Sequence, residues 1–354
     1  MLIQLAIIGL LFAVFPLALV LISKEQNKFR KLIAVTLFLT FDLIIFGAFT
    51  RLTDSGLGCP DWPGCYGEAN PFQAHSEIKA AETLLPTGPV TVAKAWIEMI
   101  HRYLAMSVGV LIILQMGIAW WKRKSMRHSP WLPTILFVLV GIQGAFGKWT
   151  VTMKLQPIIV TIHLMLALTI LGMLVWAWQR EATQLVLKLP PLLPRLLPFA
   201  FVILVLQIAL GGWVSTNYAA LACHDYPLCN GEVVPQLDFE HAYTLWRELG
   251  RTGSGDFLPF SALITIHWVH RSFAWVVFAL LASVAWLSRQ QAETKQLGNA
   301  IFAVLLMQFM TGVATIYFSW PLAIAVLHNA GAALLVLILS VLNYRVRSSA
   351  VPVS

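Results

Sequence analysis

Long apolar stretches alternate with short polar loops and two longer ones along this chain. Nine of them, at about residues 2–22, 32–50, 93–121, 131–150, 157–178, 196–215, 259–287, 299–319 and 322–342, approach or exceed the roughly 20 residues that a bilayer-spanning helix needs. The pattern predicts an all-α integral membrane protein with about nine transmembrane helices. Composition agrees: 58% of residues are hydrophobic and only 11% charged, against about 25% in a soluble domain. A nucleic-acid partner is not expected, although the net charge is +8, because a basic balance in a membrane protein reflects its cytoplasmic loops.

The charges give the orientation. If the loop at 23–31 is cytoplasmic, fifteen of the 24 basic residues lie inside, among them Lys24, Lys28, Arg30, Lys31, Lys122, Arg123, Lys124, Arg127, Arg180, Lys188, Arg289 and Arg345. Eleven of the 16 acidic residues fall on the opposite side. This positive-inside arrangement predicts an outside (periplasmic) N-terminus, and a bacterial inner membrane is the simplest address. The first stretch has neither a basic n-region nor a small-residue cleavage site, so it is read as a span and not as a signal peptide.

The sequence also repeats itself. Cys59-Pro-Asp-Trp-Pro-Gly-Cys65 aligns with Cys223-His-Asp-Tyr-Pro-Leu-Cys229 at an offset of 164. His101-Arg102 aligns with His270-Arg271 at 169, and Gln143, Gly147 and His163 align with Gln308, Gly312 and His328 at 165. Each unit holds four helices, an even number that returns the chain to its starting side. The expected fold is therefore two four-helix bundles repeated in parallel orientation, at 32–195 and 196–354, preceded by one extra helix and loop at 1–31.

The cysteines lie in the outer loops, two per unit. An oxidising compartment favours two local disulfides, Cys59 with Cys65 and Cys223 with Cys229. Free thiols, a redox-active pair and, less readily, a metal site stay open, although neither loop offers a second close pair with zinc spacing.

His101, His163, His267, His270 and His328 fall inside predicted spans, where ionisable residues are functional candidates. All five lie towards the outer leaflet. Each unit offers one histidine on its second helix and one on its fourth, His101 with His163 and His270 with His328. Two imidazoles from facing helices can supply both axial ligands of a haem iron; histidines hydrogen-bonded between helices are the plainer alternative. Arg102 and Arg271 follow directly and could pair with haem propionates or snorkel to the interface. Glu98 precedes His101 by three residues on the same helix face, with Arg102 as a ready intrahelical partner. The repeat places His267 at the position of Glu98, so only the first unit has a carboxylate beside its presumed iron. That asymmetry suggests one reactive haem site and one that holds or transfers electrons. Asp42 lies near mid-membrane with no partner readable from the sequence.

Taken together, Gly47-Ala-Phe-Thr-Arg-Leu-Thr-Asp-Ser-Gly-Leu-Gly-Cys59, Asp61-Trp-Pro, Glu98-Met-Ile-His101-Arg102 and the later His163, His270 and His328 resemble the haem A synthase family, over about residues 32–344. The resemblance implies an enzyme that oxidises the position-8 methyl group of haem O to a formyl group by two hydroxylations and loss of water. It implies that His101 and His163 embrace the substrate haem, that Glu98 is the catalytic carboxylate and that His270 and His328 ligate a haem b cofactor. It also suggests a role for the first-loop cysteines. The extra N-terminal helix and the second cysteine pair depart from the simplest family pattern. Two other classes compete: a bis-histidine dihaem cytochrome that only passes electrons, which has no use for Glu98, and a transporter, which predicts helices broken at mid-membrane. The electron donor is not readable from the sequence. A complex with haem O synthase would likewise leave no trace in the sequence, and lipid is the surrounding partner.

Overall fold

The computed structural model describes residues 1–126, 128–182 and 189–349. Arg127 and Lys188, counted above as cytoplasmic charges, lie outside the described residues. Among those described, eleven helices and no strands occur. Nine helices are long and apolar enough to cross a membrane: α1 Leu2–Ile22, α2 Lys28–Leu52, α4 Val92–Trp121, α5 Trp131–Thr152, α6 Pro157–Arg180, α7 Leu193–Thr216, α9 Phe260–Arg289, α10 Ala292–Tyr317 and α11 Leu322–Ser349. Two short helices, α3 His75–Leu84 and α8 Phe239–Ala242, lie in the long loops. All nine apolar stretches are helical and run without a break, unlike the interrupted spans a transporter would show.

Several helices outrun their apolar stretch, because the backbone ladder continues where side chains reach polar headgroups. α2 starts at Lys28, where the Asn27 side chain accepts from the Arg30 N–H at 2.9 Å and satisfies a terminal donor. α10 begins with Ala-Glu-Thr-Lys and α11 carries on through Arg345 and Arg347.

The chain forms two compact units, Met1–Leu155 with Leu166–Ala182, and Gln156–Met165 with Thr183–Ser354. α6 thus contributes its first turns to the second unit and the rest to the first. In the first unit α4 is the hub, packing on α1, α2, α3 and α5. Bilayer hydrocarbon gives little hydrophobic drive between helices, so polar ties help to set the pairs. Gln115 donates to the Thr36 hydroxyl at 2.8 Å between α4 and α2, and Trp120 donates to the Thr134 hydroxyl at 2.9 Å between α4 and α5. At the end of the unit that carries the first long loop, Ile78 of α3, both cysteines of that loop, Met99 and Tyr103 form one buried cluster with Leu5 of α1. The extra helix therefore packs as part of this unit. Together with α2 and α4 it encloses a cavity of about 560 Å³ lined by Phe12, Pro16, Leu43, Leu104 and Ser107, into which Asp42 opens.

In the second unit α7, α9, α10 and α11 close a ring, each packed on the next and α11 back on α7. Trp213 anchors the end that carries the second long loop, donating its indole N–H to the Ala242 carbonyl at 2.9 Å.

Candidate functional site

Both cysteine pairs are disulfides, Cys59 to Cys65 and Cys223 to Cys229, and among the described residues no cysteine is free. The two loops match internally to a degree the residue alignment only hints at. An isolated bridge joins Cys65 to Glu68 in one and Cys229 to Glu232 in the other. Left-handed backbone recurs at Asp54 and Tyr218, at Tyr66 and Asn230, and at Gly67 and Gly231. Such φ values disfavour ordinary side chains, so something must hold them. In the first loop the Asp61 carboxylate accepts the Tyr66 and Gly67 N–H groups, each at 2.7 Å. In the second, Asp225 accepts those of Asn230 at 2.5 Å and Gly231 at 2.9 Å. The Gly231 bond leads in holding the Asp225 carboxyl below the usual carboxylate range, with the Asn230 bond adding to it.

Each loop is seated on a helix by the arginine after the paired histidine. Arg102 donates to the carbonyls of Pro63 at 3.2 Å and Gly64 at 2.5 Å. Arg271 donates to those of Pro227 at 3.3 Å and Leu228 at 2.8 Å. Both guanidiniums thus bind carbonyls of their own loop, a contact that neither the propionate nor the snorkelling expectation included. Arg102 also donates to Oε1 of Glu98 at 2.5 Å, the intrahelical partnership its spacing predicts. Arg271 keeps Nη1 buried with no hydrogen-bond partner among the described residues.

Under each loop lies the residue that breaks the repeat. Glu98, only 4% exposed, accepts the Cys59 N–H through Oε2 at 2.8 Å. His267, 5% exposed, accepts the Cys223 N–H through Nδ1 at 3.2 Å. A carboxylate and an imidazole therefore perform one structural task in two units. Only the first also delivers a negative charge.

Three of the four paired histidines are set against a glycine. A Cβ on Gly47 of α2 would come within 3.1 Å of His101 Nε2, one on Gly211 of α7 within 2.9 Å of His270 Cε1, and one on Gly312 of α10 within 3.2 Å of His328 Cε1. Glycine lets these rings lie directly on the neighbouring backbone. Phe46 stacks beside His101 at 6.3 Å between ring centres. Gln207 of α7 donates through Nε2 to the His270 backbone carbonyl at 3.1 Å, which ties the helix carrying His270 to its neighbour. His163 lies in the first turns of α6, in the part grouped with the second unit. None of the four imidazoles is fully buried.

Among the described residues no three His, Cys, Asp or Glu side chains cluster as they would around a metal ion. A macrocycle that brings its own four nitrogens needs only two imidazoles, so His270 and His328, laid against glycines in one bundle, fit a haem. Three parts of the site escape sequence reading: the glycines opposite the rings, the loop-seating role of the arginines, and Thr311, whose hydroxyl lies 3.0 Å from His328 Nδ1. Position 146, at the repeat offset from Thr311, is Phe, and that second break in the repeat was the available signal.

Fold and site together define a polytopic helical membrane protein that carries imidazoles on its spans beneath two disulfide-closed loops. The chain belongs to the COX15-CtaA family of cytochrome oxidase assembly proteins, whose sequence profile matches residues 30–340. It is 39% identical over 320 residues to heme A synthase of Shewanella oneidensis, covering 88% of this chain and 95% of that protein. Heme A synthases of Mesorhizobium japonicum, 30% identical over 93% of both chains, and of Caulobacter vibrioides, 28% identical over 89% of this chain and 96% of the relative, match over similar lengths.

Proposed function

We propose that this chain is a haem A synthase, oxidising the position-8 methyl group of haem O to the formyl group of haem A. Near-full-length kinship to heme A synthases carries the reading. The methyl becomes a hydroxymethyl group, then a geminal diol, and the diol loses water to leave the aldehyde. The first repeat, 32–195, handles the substrate, with His101 and His163 as its iron ligands. The second, 196–354, holds a haem b through His270 and His328, which supplies one-electron transfer when bound. The N-terminus lies on the periplasmic side of a bacterial inner membrane. An electron donor of unassigned chemistry and haem O synthase are its partners.

Glu98 is the catalytic carboxylate. Its two oxygens accept from Arg102 and from the Cys59 N–H, so an ionised carboxylate is held in place with both partners satisfied. A fixed negative charge of this kind suits stabilisation of positive charge developing at the methyl carbon better than delivery of a proton. Arg102 positions Glu98, and the disulfide loop contributes the N–H that orients it.

The test is liquid chromatography with mass analysis of haems from membranes that make haem O but no haem A, with and without this protein. Haem A or hydroxylated haem O is expected only when the protein is present. Unaltered haem O, with the protein inserted and a reductant present, would overturn the reading in favour of a dihaem electron carrier.

A further inference from the structure

Thr311 of α10 has one hydroxyl proton and three oxygen or nitrogen neighbours. Its Oγ1 lies 2.8 Å from the Met307 carbonyl, 3.2 Å from the Gln308 carbonyl and 3.0 Å from Nδ1 of His328 on α11. Carbonyl oxygens only accept, and the Met307 carbonyl is the nearest of the three neighbours, so that contact takes the hydroxyl proton, as threonine commonly places it one helical turn back. With that proton used, Oγ1 can only accept from the imidazole. On that assignment Nδ1 of His328 carries the proton and donates it to Thr311 Oγ1. A neutral imidazole protonated on Nδ1 keeps its lone pair on Nε2, the form a metal-ligating histidine takes when its other nitrogen is hydrogen-bonded.

The partner ring is held differently. His270 Nδ1 is buried with no hydrogen-bond partner among the described residues. In the first repeat, position 146 carries Phe, which offers no acceptor. Thr311 is thus a feature of one histidine in one repeat. It is 7% exposed, so water does not compete for the bond.

We propose that Thr311 is a positioning residue that fixes His328 with Nδ1 protonated and Nε2 presented to the iron of a haem. This rests on the reading of His270 and His328 as haem b ligands. A hydrogen bond donated from Nδ1 makes the imidazole a stronger electron donor, which stabilises the ferric state and lowers the reduction potential. The same bond restricts rotation of the ring and so strengthens retention of the haem.

The experiment uses the full-length protein purified from membranes with its native haem, comparing wild type, Thr311→Val, Thr311→Ser and His328→Ala. Haem b content after extensive dialysis and the midpoint potential are measured. Thr311→Val, nearly isosteric but without the acceptor, should lose haem b about 10-fold more readily and shift the midpoint to more positive potential. Thr311→Ser should match wild type in both. If Thr311→Val does not accumulate, Thr311→Ala carries the same expectation. Wild-type potential and haem retention in the hydroxyl-free variants would overturn the proposal, as would a change confined to thermal stability. Haem b content and midpoint potential left at wild-type values by His328→Ala would instead overturn the ligand assignment, and the proposal with it.

Discussion

The backbone N–H of Cys59 donates to Oε2 of Glu98 at 2.8 Å, between residues 39 apart in sequence. The bond joins the disulfide loop to the helix that carries His101, and its counterpart in the second unit runs from Cys223 to His267. Anchoring a loop needs only an acceptor, as His267 demonstrates. A carboxylate in that place is costly to bury unless paired, and Arg102 pairs it. The first unit thus carries a charge that anchoring alone does not require.

Glu98→Gln and Glu98→Ala separate the two tasks. Glutamine keeps an acceptor for the Cys59 N–H and removes the charge, so the loop should stay protected from hydrogen exchange while haem O conversion falls by about 10²–10³, the usual loss for one electrostatic stabiliser. Alanine should lose both conversion and loop protection, at about 1–3 kcal/mol for the stranded donor. Haem b content should be unchanged in each. Full-rate conversion by Glu98→Gln would remove Glu98 from catalysis.

Arg102 and Arg271 make the same loop contacts but differ in what they leave behind. Arg102→Leu strands the buried Glu98 carboxylate, and breaking a buried pair costs about 3–5 kcal/mol. Arg271 makes no ion pair among the described residues, so Arg271→Leu should cost only the hydrogen bonds to Pro227 and Leu228 and the contact of its guanidinium with the Tyr226 ring, about 1–2 kcal/mol together. Thermal unfolding in detergent reads the difference. Equal losses would mean that the Glu98–Arg102 pair adds nothing to the loop clip.

What the sequence disclosed follows from which interactions are local. Apolar length located all nine spans, and four-residue spacing on one helix predicted the Glu98–Arg102 pair. α3 was not legible, because Glu77, Lys79 and Glu82 give it a polar face and only Ile78 is buried. The Cys59–Glu98 bond joins distant chain segments with no periodicity to announce it. Gly47 stands inside the motif that carries the family resemblance, yet its contact with His101 depends on how α2 and α4 pack. Thr311 looks like any small polar residue in an apolar helix until His328 is placed beside it.

Gly47 and Gly211 should respond oppositely to what helix propensity predicts. Alanine is favoured over glycine inside a helix by about 1 kcal/mol, so a merely structural glycine would gain stability on substitution. Here the new Cβ would meet His101 Nε2 at 3.1 Å or His270 Cε1 at 2.9 Å and push the ring away. Gly211→Ala should reduce haem b content with little loss of protein. Gly47→Ala should slow haem O conversion and leave haem b in place. Swapped phenotypes, with Gly47→Ala depleting haem b, would reverse the assignment of the two histidine pairs.

The second loop should resist acid further than an ordinary carboxylate would allow. Asp225 binds the Asn230 and Gly231 N–H groups only as an acceptor, and those bonds hold its pKa below the ordinary 3.8. A carboxyl whose value is depressed in the folded state favours that state fully above its unfolded value, and the contribution disappears as pH falls through the folded one. Hydrogen exchange at Asn230 and Gly231, corrected for the intrinsic pH dependence of exchange, should therefore show constant protection from neutral pH down to the ordinary value. It should weaken only below it. Asp225→Asn keeps one acceptor oxygen and cannot ionise, so its protection should be lower at neutral pH and should not change through the acid range. Loss of protection in the wild-type loop well above the ordinary carboxylate value would show that another group controls it.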